Sequence, residues 1–368
     1  MRAFFDVFGA SIRRTFPAHA PLYVCAVAFC GLSLAITTYF RVSTSLGPSV
    51  LFLEVSAGLA FAAVMAGAVR QLCRLAWAKA DRPIHAMGRW LRDGLLEGER
   101  PGHIFHGLLL LTPLMVSFSA IKDDIPLIAP FSWDQTFAHW DMMLGLGRAP
   151  WTYLQPWLGY PPITAAINFC YDAWFFVMFG ALTAQAFSAR PGELRMQFLL
   201  AFTLSWFIAG NMLALAFSSA GPCYFGLLHL PHDPYAAQMA YLRATAAHWP
   251  VWSVNVQDAL WRYYIGQQTS VGGISAMPSM HVAVATIIAM LGWRLNRAAG
   301  WALSLFALVI VVGAIHLAWH YFVDTIAGAS LGFVFWAVAG RIARRHGAWL
   351  ASRNAPSLEE LAPALSRS

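Results

Sequence analysis

Long apolar runs are the feature that most constrains how this chain can fold. Eight such runs occur, each of about twenty residues, which is enough to cross roughly 30 Å of hydrocarbon as an α-helix. They cover residues 20–40, 49–69, 104–121, 162–187, 197–218, 277–293, 299–315 and 321–340. Hydrophobic residues make up 59% of the chain and charged residues only 11%, a balance far from that of a soluble domain. The sequence therefore predicts an all-α, polytopic membrane helix bundle.

The positions of the basic residues predict how this bundle is oriented. If both termini are cytoplasmic, 19 of the 24 Lys and Arg residues fall on the inner side of the membrane, as the positive-inside rule describes. This bias accounts for the net charge of +7, so the charge gives no reason to expect a nucleic-acid partner. The segments 122–160 and 220–274 are then predicted to lie outside. The first of them, rich in Trp, Pro and Asp, fits either an interfacial cap or a lid over a headgroup pocket.

The runs divide the chain into three regions. Residues 1–103 are predicted to hold two transmembrane helices and a basic cytoplasmic loop, and residues 104–340 to hold a core of six helices. Residues 341–368 are polar and predict a disordered cytoplasmic tail. A non-catalytic membrane binding or transport protein is one reading of this layout, although the inverted repeats typical of transporters are not visible.

Two short segments combine histidine with features that suit phosphate. Ser279 and His281 stand at the start of a predicted helix, where free backbone N–H groups and the positive end of the helix dipole favour an anion. His316, His320 and Asp324 are spaced four residues apart, which predicts one shared helix face and a carboxylate that accepts the ring N–H of His320. Because a helical hairpin separates the two segments, His281 and His320 are predicted to return to the same membrane face. A pair of structural histidines is the alternative.

These residues carry a family resemblance. Pro278-Ser279-Met280-His281 and His320-Tyr321-Phe322-Val323-Asp324 resemble the second and third motifs of the type-2 phosphatidic acid phosphatase superfamily. They are most similar to the branch that contains inositol phosphorylceramide synthases and related bacterial membrane phosphatases. The resemblance covers roughly residues 104–340 and leaves the first two helices outside. It implies a multi-pass enzyme of the bacterial inner membrane with an extracytoplasmic active site.

The resemblance also implies a mechanism that uses neither a metal nor a cofactor. His320 would attack phosphorus and form a phosphohistidine, with Asp324 orienting its ring. His281 would protonate the leaving oxygen and then activate the acceptor, while Ser279 and helix N–H groups would hold the phosphoryl oxygens. The substrate would be a phospholipid or isoprenoid phosphate. The acceptor would be water or, in an inositol phosphorylceramide synthase-like transferase, an alcohol.

Two positions depart from the family pattern and raise the question of which cations bind the phosphate. The second motif often has Gly where Met280 stands, and the Arg that precedes the nucleophile by six positions is Ala314 here. Lys122 ends the first core helix, roughly where the family's first motif supplies its lysine, and Arg243 and Arg262 lie in the outer loop before the second motif. We therefore expect Lys122 and at least one of these arginines to hold the phosphate. The alternative for all three is that they extend to lipid headgroups.

Overall fold

The computed structural model describes residues 2–41, 47–79, 81–96, 98–188, 192–267 and 272–353, and all regular structure in these ranges is helical. The helices, in chain order, are α1 (Arg2–Phe40), α2 (Gly47–Trp77), α3 (Pro83–Leu96), α4 (Arg100–Lys122), α5 (Ile125–Ile128), α6 (Asp134–Leu144), α7 (Trp151–Leu158), α8 (Pro161–Asp172), α9 (Trp174–Ala186), α10 (Glu193–Leu204), a π-helical segment (Ser205–Leu213), α11 (Ala214–Ala216), a 3₁₀ turn (Pro222–Tyr224), α12 (Ala236–Ala246), α13 (Trp252–Tyr264), α14 (Met280–Leu295), α15 (Arg297–His316) and α16 (Phe322–Arg353).

Seven helical stretches in the described part of the chain are long and apolar enough to cross a membrane. They are Phe8–Phe40, Leu53–Trp77, Arg100–Lys122, Pro161–Ala186, Glu193–Ala216, Arg297–His316 and Phe322–Arg353. The remaining predicted run forms α14, which is shorter, with 16 residues and a length of about 24 Å. The predicted fold class, an all-α multi-pass membrane bundle, is thus confirmed.

Helix α14 lies at the centre of the bundle, packed against α10, α15 and α16. Asn296 ends α14 and caps α15, because its side-chain oxygen accepts a hydrogen bond from the backbone N–H of Ala299 at 2.9 Å. The approach of α16 to α14 is so close that a Cβ atom on Gly332 would lie 2.7 Å from the carbonyl oxygen of Ala283. Glycine at this position therefore allows the backbones of the two helices to pack together.

A buried polar cluster joins the N-terminal region to the core. Nη1 of Arg195 on α10 lies 3.0 Å from Nε2 of His19 on α1, whose ring packs 4.6 Å from that of His106 on α4. His106 in turn shares a hydrogen bond of 2.7 Å with the hydroxyl of Tyr23. These contacts link three helices where hydrocarbon offers no other polar partner.

The segments predicted to lie outside fold back over the bundle as a helical cap. The side-chain amide of Gln238 on α12 donates to the carbonyl of Ile315 at 2.7 Å, and that of Gln257 on α13 donates to the carbonyl of Leu317 at 2.9 Å. The cap is thereby fixed to the turn that follows α15. Residues 341–353, the first part of the predicted polar tail, continue α16 as helix beyond the end of the apolar run. Residues 354–368 lie outside the described residues.

Candidate active site

The two motif histidines meet where α14 begins and α15 ends. His281 lies in the first turn of α14, and His320 lies in the turn between α15 and α16. Their ring centroids are 6.0 Å apart, and His320 is 7% exposed. The helical hairpin α14–α15 therefore brings together two residues that are far apart in sequence.

The prediction that His316, His320 and Asp324 share one helix face is wrong. Helix α15 ends at His316 and α16 begins at Phe322, with a turn between them in which Ala318 adopts a φ of 58°. Tertiary contacts stabilise this turn, since the backbone N–H of Cys223 donates to the carbonyl of Ala318 at 3.0 Å. His316 is thus separated from the pair, and its Nε2 lies 2.9 Å from the hydroxyl of Thr164 on α8.

The ring of His320 is oriented chiefly by a backbone carbonyl. Its Nδ1 lies 2.9 Å from the carbonyl oxygen of Ala276, but 3.6 Å from Oδ2 of Asp324. Oδ2 of Asp324 accepts the backbone N–H of Tyr321 at 2.9 Å, while its Oδ1 is buried without a hydrogen-bond partner. Nδ1 therefore carries the proton that it donates to Ala276, and Nε2 is left with a free lone pair.

His320 is held in its neutral form. Burial lowers the pKa of His320 to about 3, against the raising effect of the hydrogen bond to Ala276, and the charge of Lys122 lowers it further. An imidazole that is neutral across the physiological pH range can act as a nucleophile without first losing a proton.

His281 lies in an aromatic box at the junction of α8 and α9. Its ring stacks on Tyr171 at 4.6 Å between centroids and packs at a tilt against Trp174 at 4.3 Å, and both aromatic side chains are 2% exposed. Phe175 approaches the same ring edge-on at 6.1 Å and is itself 46% exposed on the outside of the bundle. One aromatic ring therefore separates His281 from the lipid-facing surface.

A helix N-terminus and a lysine lie beside the histidines. Ser279 is the N-cap of α14, accepting the backbone N–H of Val282 at 3.4 Å, and its own N–H donates to the carbonyl of Asp324 at 3.1 Å. Nζ of Lys122, at the outer end of α4, donates to the carbonyl of Ser275 at 3.3 Å. A helix N-terminus and a lysine thus approach the same loop, which is the arrangement that favours a phosphate group.

The two predicted arginine ligands lie elsewhere. Arg243 forms an ion pair with Asp258 at 2.9 Å, in which both side chains are more than a third exposed. Arg262 is exposed on α13. Within the described ranges no hydrogen bond or ion pair joins either arginine to the histidine pair. Of the three cations expected from the sequence, only Lys122 is placed at the histidines.

Two carboxylates hold the loops of the site. Neither was assigned a role from the sequence. Asp134 on α6 accepts the backbone N–H groups of Ala220 and Gly221, at 2.9 Å each, and the hydroxyl of Tyr321 at 2.7 Å. Asp141, two turns later, accepts the N–H groups of Phe322 at 2.8 Å and Val323 at 2.9 Å. Their spacing of seven residues places both on one helix face. This spacing of seven residues is the sequence feature from which their shared helix face could have been predicted.

Burial dominates the ionisation of Asp141. It raises the pKa of Asp141 to about 7, although the N–H groups of Phe322 and Val323 lower this pKa and the charge of Asp324 raises it. The first turn of α16 is therefore held by a carboxyl group that titrates near neutral pH.

Comparison with known proteins agrees with this geometry. A family model described as the PAP2 superfamily matches residues 135–338, which is more than half of the 368 residues and includes Ser279, His281, His320 and Asp324. No curated protein and no solved structure gave a match. Since the matched segment carries both histidine motifs and the helices that bring them together, the chain belongs to the PAP2 superfamily.

Proposed function

We propose that this membrane phosphatase or phosphotransferase acts on a lipid phosphate through a phosphohistidine intermediate on His320. The observation that carries the proposal is the pairing of His281 and His320, 6.0 Å apart between ring centroids, beside the N-terminus of α14 and Lys122. A nucleophile, a general acid and an anion site are the groups that phosphoryl transfer needs.

In the first step, Nε2 of His320 attacks phosphorus. A P–N bond forms as the P–O bond to the lipid breaks, and His281, which enters this step as the imidazolium once the anionic phosphate is bound, gives its proton to the departing oxygen. The tautomer supports this direction of attack, since Nδ1 is occupied by its hydrogen bond to Ala276. Asp324 lies 3.6 Å from Nδ1, close enough for its charge to stabilise the positive charge that the ring gains.

In the second step, an acceptor oxygen attacks the phosphohistidine. His281 takes the proton from this oxygen as a new P–O bond forms and the P–N bond breaks, which returns both histidines to their initial states. Lys122, Ser279 and the first-turn N–H groups of α14 stabilise the charge on the phosphoryl oxygens throughout. Water as the acceptor gives hydrolysis, and an alcohol gives transfer of the kind that an inositol phosphorylceramide synthase performs.

The surroundings of the histidines support a lipid as the donor. His281 is separated from the exterior of the bundle by Phe175, which is 46% exposed, and the cap of α12 and α13 covers the turn that follows α15. A substrate that lies in the bilayer can approach from the side of the bundle, whereas a water-soluble phosphate would have to pass the cap.

A panel of phosphates tests the proposal. Purified protein is incubated with phosphatidic acid, ceramide phosphate, polyprenyl phosphate and a soluble sugar phosphate, with and without an alcohol such as inositol. Phosphate release and new phospholipid products are measured together. We expect turnover of at least one lipid phosphate and an acid-labile phosphoryl group on the protein that disappears in His320→Ala. Turnover of the soluble phosphate alone would contradict the lipid assignment.

A further inference from the structure

His281 is packed between two electron-rich rings. Its centroid lies 4.6 Å from that of Tyr171, with 21° between the ring planes, and 4.3 Å from that of Trp174, with 40° between the planes. Tyr171 is in the last turn of α8 and Trp174 begins α9, and the backbone between them stays helical at Ala173, with φ −61° and ψ −16°. The two rings therefore share one side of the chain. Both distances are within the roughly 6 Å over which a π face attracts a cation.

A positively charged His281 has no carboxylate partner in the described part of the chain, whose ion pairs do not include it. The titratable groups that face its ring are His320, 6.0 Å away between centroids, and Lys122 of α4, and neither supplies negative charge. Asp172 on α8 accepts an amide of its own helix at 2.8 Å, and Asp324 on α16 lies 3.6 Å from Nδ1 of His320. Because a buried charge without a counter-charge is costly, the faces of the two rings are the groups left to stabilise an imidazolium before phosphate binds.

The polar atoms of both rings are unused. The hydroxyl oxygen of Tyr171 and Nε1 of Trp174 are buried, and neither forms a hydrogen bond within the described residues. Trp151 and Trp319, in contrast, donate their ring N–H groups at 3.1 and 3.0 Å. Buried Tyr and Trp side chains usually find such partners, since an unpaired donor costs free energy. Apolar side chains would fill the same space without this cost, so packing alone does not account for an indole and a phenol against His281.

We propose that the ring faces of Tyr171 and Trp174 stabilise the imidazolium form of His281 and thereby set its proton transfer to and from the reacting oxygens. The inference rests on the proposed function and assigns two positioning residues to it, which act through His281. In the first step the proton passes from the imidazolium to the leaving oxygen as the P–O bond breaks, and the ring becomes neutral. In the second step the ring takes a proton from the acceptor, and the same faces stabilise the imidazolium that forms.

The test follows the first step alone as a function of pH. Full-length Tyr171→Leu, Trp174→Leu, Tyr171→Phe and Trp174→Phe are mixed with phosphatidic acid or, if this is inert, the lipid phosphate of the panel that turns over. Formation of the phosphoprotein is measured in a single turnover between about pH 5 and about pH 9. The wild-type rate should fall as the pH rises through the pKa of His281 in the complex, because only the imidazolium donates a proton. Each Leu variant should move this fall to lower pH by about one unit, and each Phe variant by less. The loss of rate in the Leu variants should therefore be about tenfold at high pH and small at low pH.

A substrate that needs no proton separates this role from general damage. An amphiphilic 2-nitro-4-alkylphenyl phosphate releases a stabilised phenolate, so its rate should depend little on a general acid. Each Leu variant should lose about tenfold more rate with the lipid phosphate than with the aryl phosphate at high pH. The matched control is Trp336→Leu, which removes a buried indole about 20 Å along α16 from its start. This control should change both rates equally and leave the pH profile in place.

The outcomes distinguish the inference from the proposed function. An unshifted pH profile in both Leu variants, or equal losses with the two phosphates, would overturn the inference and leave the proposed function intact. If the Leu variants do not fold, trifluorotryptophan introduced at position 174 alone keeps the shape of the ring and weakens its negative face, and it must give a shift in the same direction. A wild-type protein that forms no phosphohistidine with any lipid phosphate would instead reject the proposed function.

Discussion

Two different neighbours surround Nδ1 of His320, the proposed nucleophile. The carbonyl of Ala276, 2.9 Å from Nδ1, fixes the tautomer, and in the proposed mechanism the carboxylate of Asp324, 3.6 Å away, stabilises the positive charge that the ring gains. In the simplest reading of the motif, Asp324 does both. The division matters for mutants, because removing the carboxylate charge leaves the orientation of the ring in place.

The first prediction concerns these residues. His320→Ala and His281→Ala should each lower kcat by a factor on the order of 10³ or more, because each removes a group that takes part in the chemistry. Asp324→Asn should retain more activity than either, since Ala276 still orients the ring, but less than the wild type, because the charged intermediate loses a partner. Steady-state kinetics with the best lipid phosphate of the panel measure all three. An equal loss of kcat in Asp324→Asn and His320→Ala would show that the carbonyl of Ala276 alone does not keep His320 active.

The second prediction concerns the phosphate-binding cation. Lys122 donates to Ser275 within the second-motif loop, whereas Arg243 is paired with Asp258 at the surface. Vanadate, which mimics pentacoordinate phosphorus, should therefore inhibit the wild type, and Lys122→Met should lower turnover and vanadate affinity in step. Arg243→Gln should change neither by more than a few fold. A large loss of turnover and vanadate affinity in Arg243→Gln, with little change in Lys122→Met, would instead assign phosphate binding to Arg243.

At the scale of elements, α6 connects the cap to the catalytic loops. Asp134 binds the 220–221 backbone and Tyr321, and Asp141 caps the start of α16. Asp141 therefore acts on the position of His320 through the backbone N–H groups of Phe322 and Val323, and Asp134 acts through the side chain of Tyr321. The outer segment 122–160 is thus part of the support of the site.

The third prediction follows from the pKa of Asp141. Burial raises it from 3.8 to about 7, so the folded protein binds this proton more tightly than the unfolded chain does. The contribution of Asp141 to stability must then fall as the pH rises from about 4 to about 7 and stay constant above that range. Asp141→Asn removes this dependence. Thermal unfolding in detergent between pH 4 and pH 8 should give a difference between wild type and variant that shrinks with rising pH. If the unfolding temperatures of wild type and variant instead changed in parallel with pH, Asp141 would not titrate between pH 4 and pH 8.

At the scale of the whole molecule, the basic residues and the cap agree on one orientation. The segments predicted to lie outside form the cap over the histidines, and 19 of the 24 basic residues belong to segments predicted to lie on the opposite side. We propose that the active site faces the extracytoplasmic side, in a bacterium the periplasmic side of the inner membrane.

The fourth prediction tests this orientation by labelling. Leu146 is 89% exposed in the turn after α6, and His85 is exposed on α3 in the predicted inner loop. A membrane-impermeant thiol reagent should label Leu146→Cys in intact cells and His85→Cys only after lysis. Gln257, in the other segment predicted to lie outside, is 2% exposed and is therefore unsuitable for labelling. Labelling in the reverse pattern would place the active site in the cytoplasm.

The sequence by itself determined the fold class and the pairing of the histidines. Apolar runs of membrane-spanning length leave the backbone no alternative to helices, since hydrocarbon offers it no hydrogen-bond partner. A helical hairpin between two motifs returns its ends to one side of the bundle, so the proximity of His281 and His320 followed from counting spans. These properties depend on composition and order along the chain, which a sequence displays directly.

Only the tertiary structure decided which groups surround those histidines. The turn at Ala318, which separates His316 from His320, is stabilised by contacts from the cap and has no Gly or Pro to mark it. The carbonyl of Ala276 carries no side-chain signature, and Arg243 was a plausible ligand until its partner Asp258 was visible. Backbone acceptors and competing ion pairs are set by how helices pack in three dimensions, and neither hydropathy nor residue spacing encodes them.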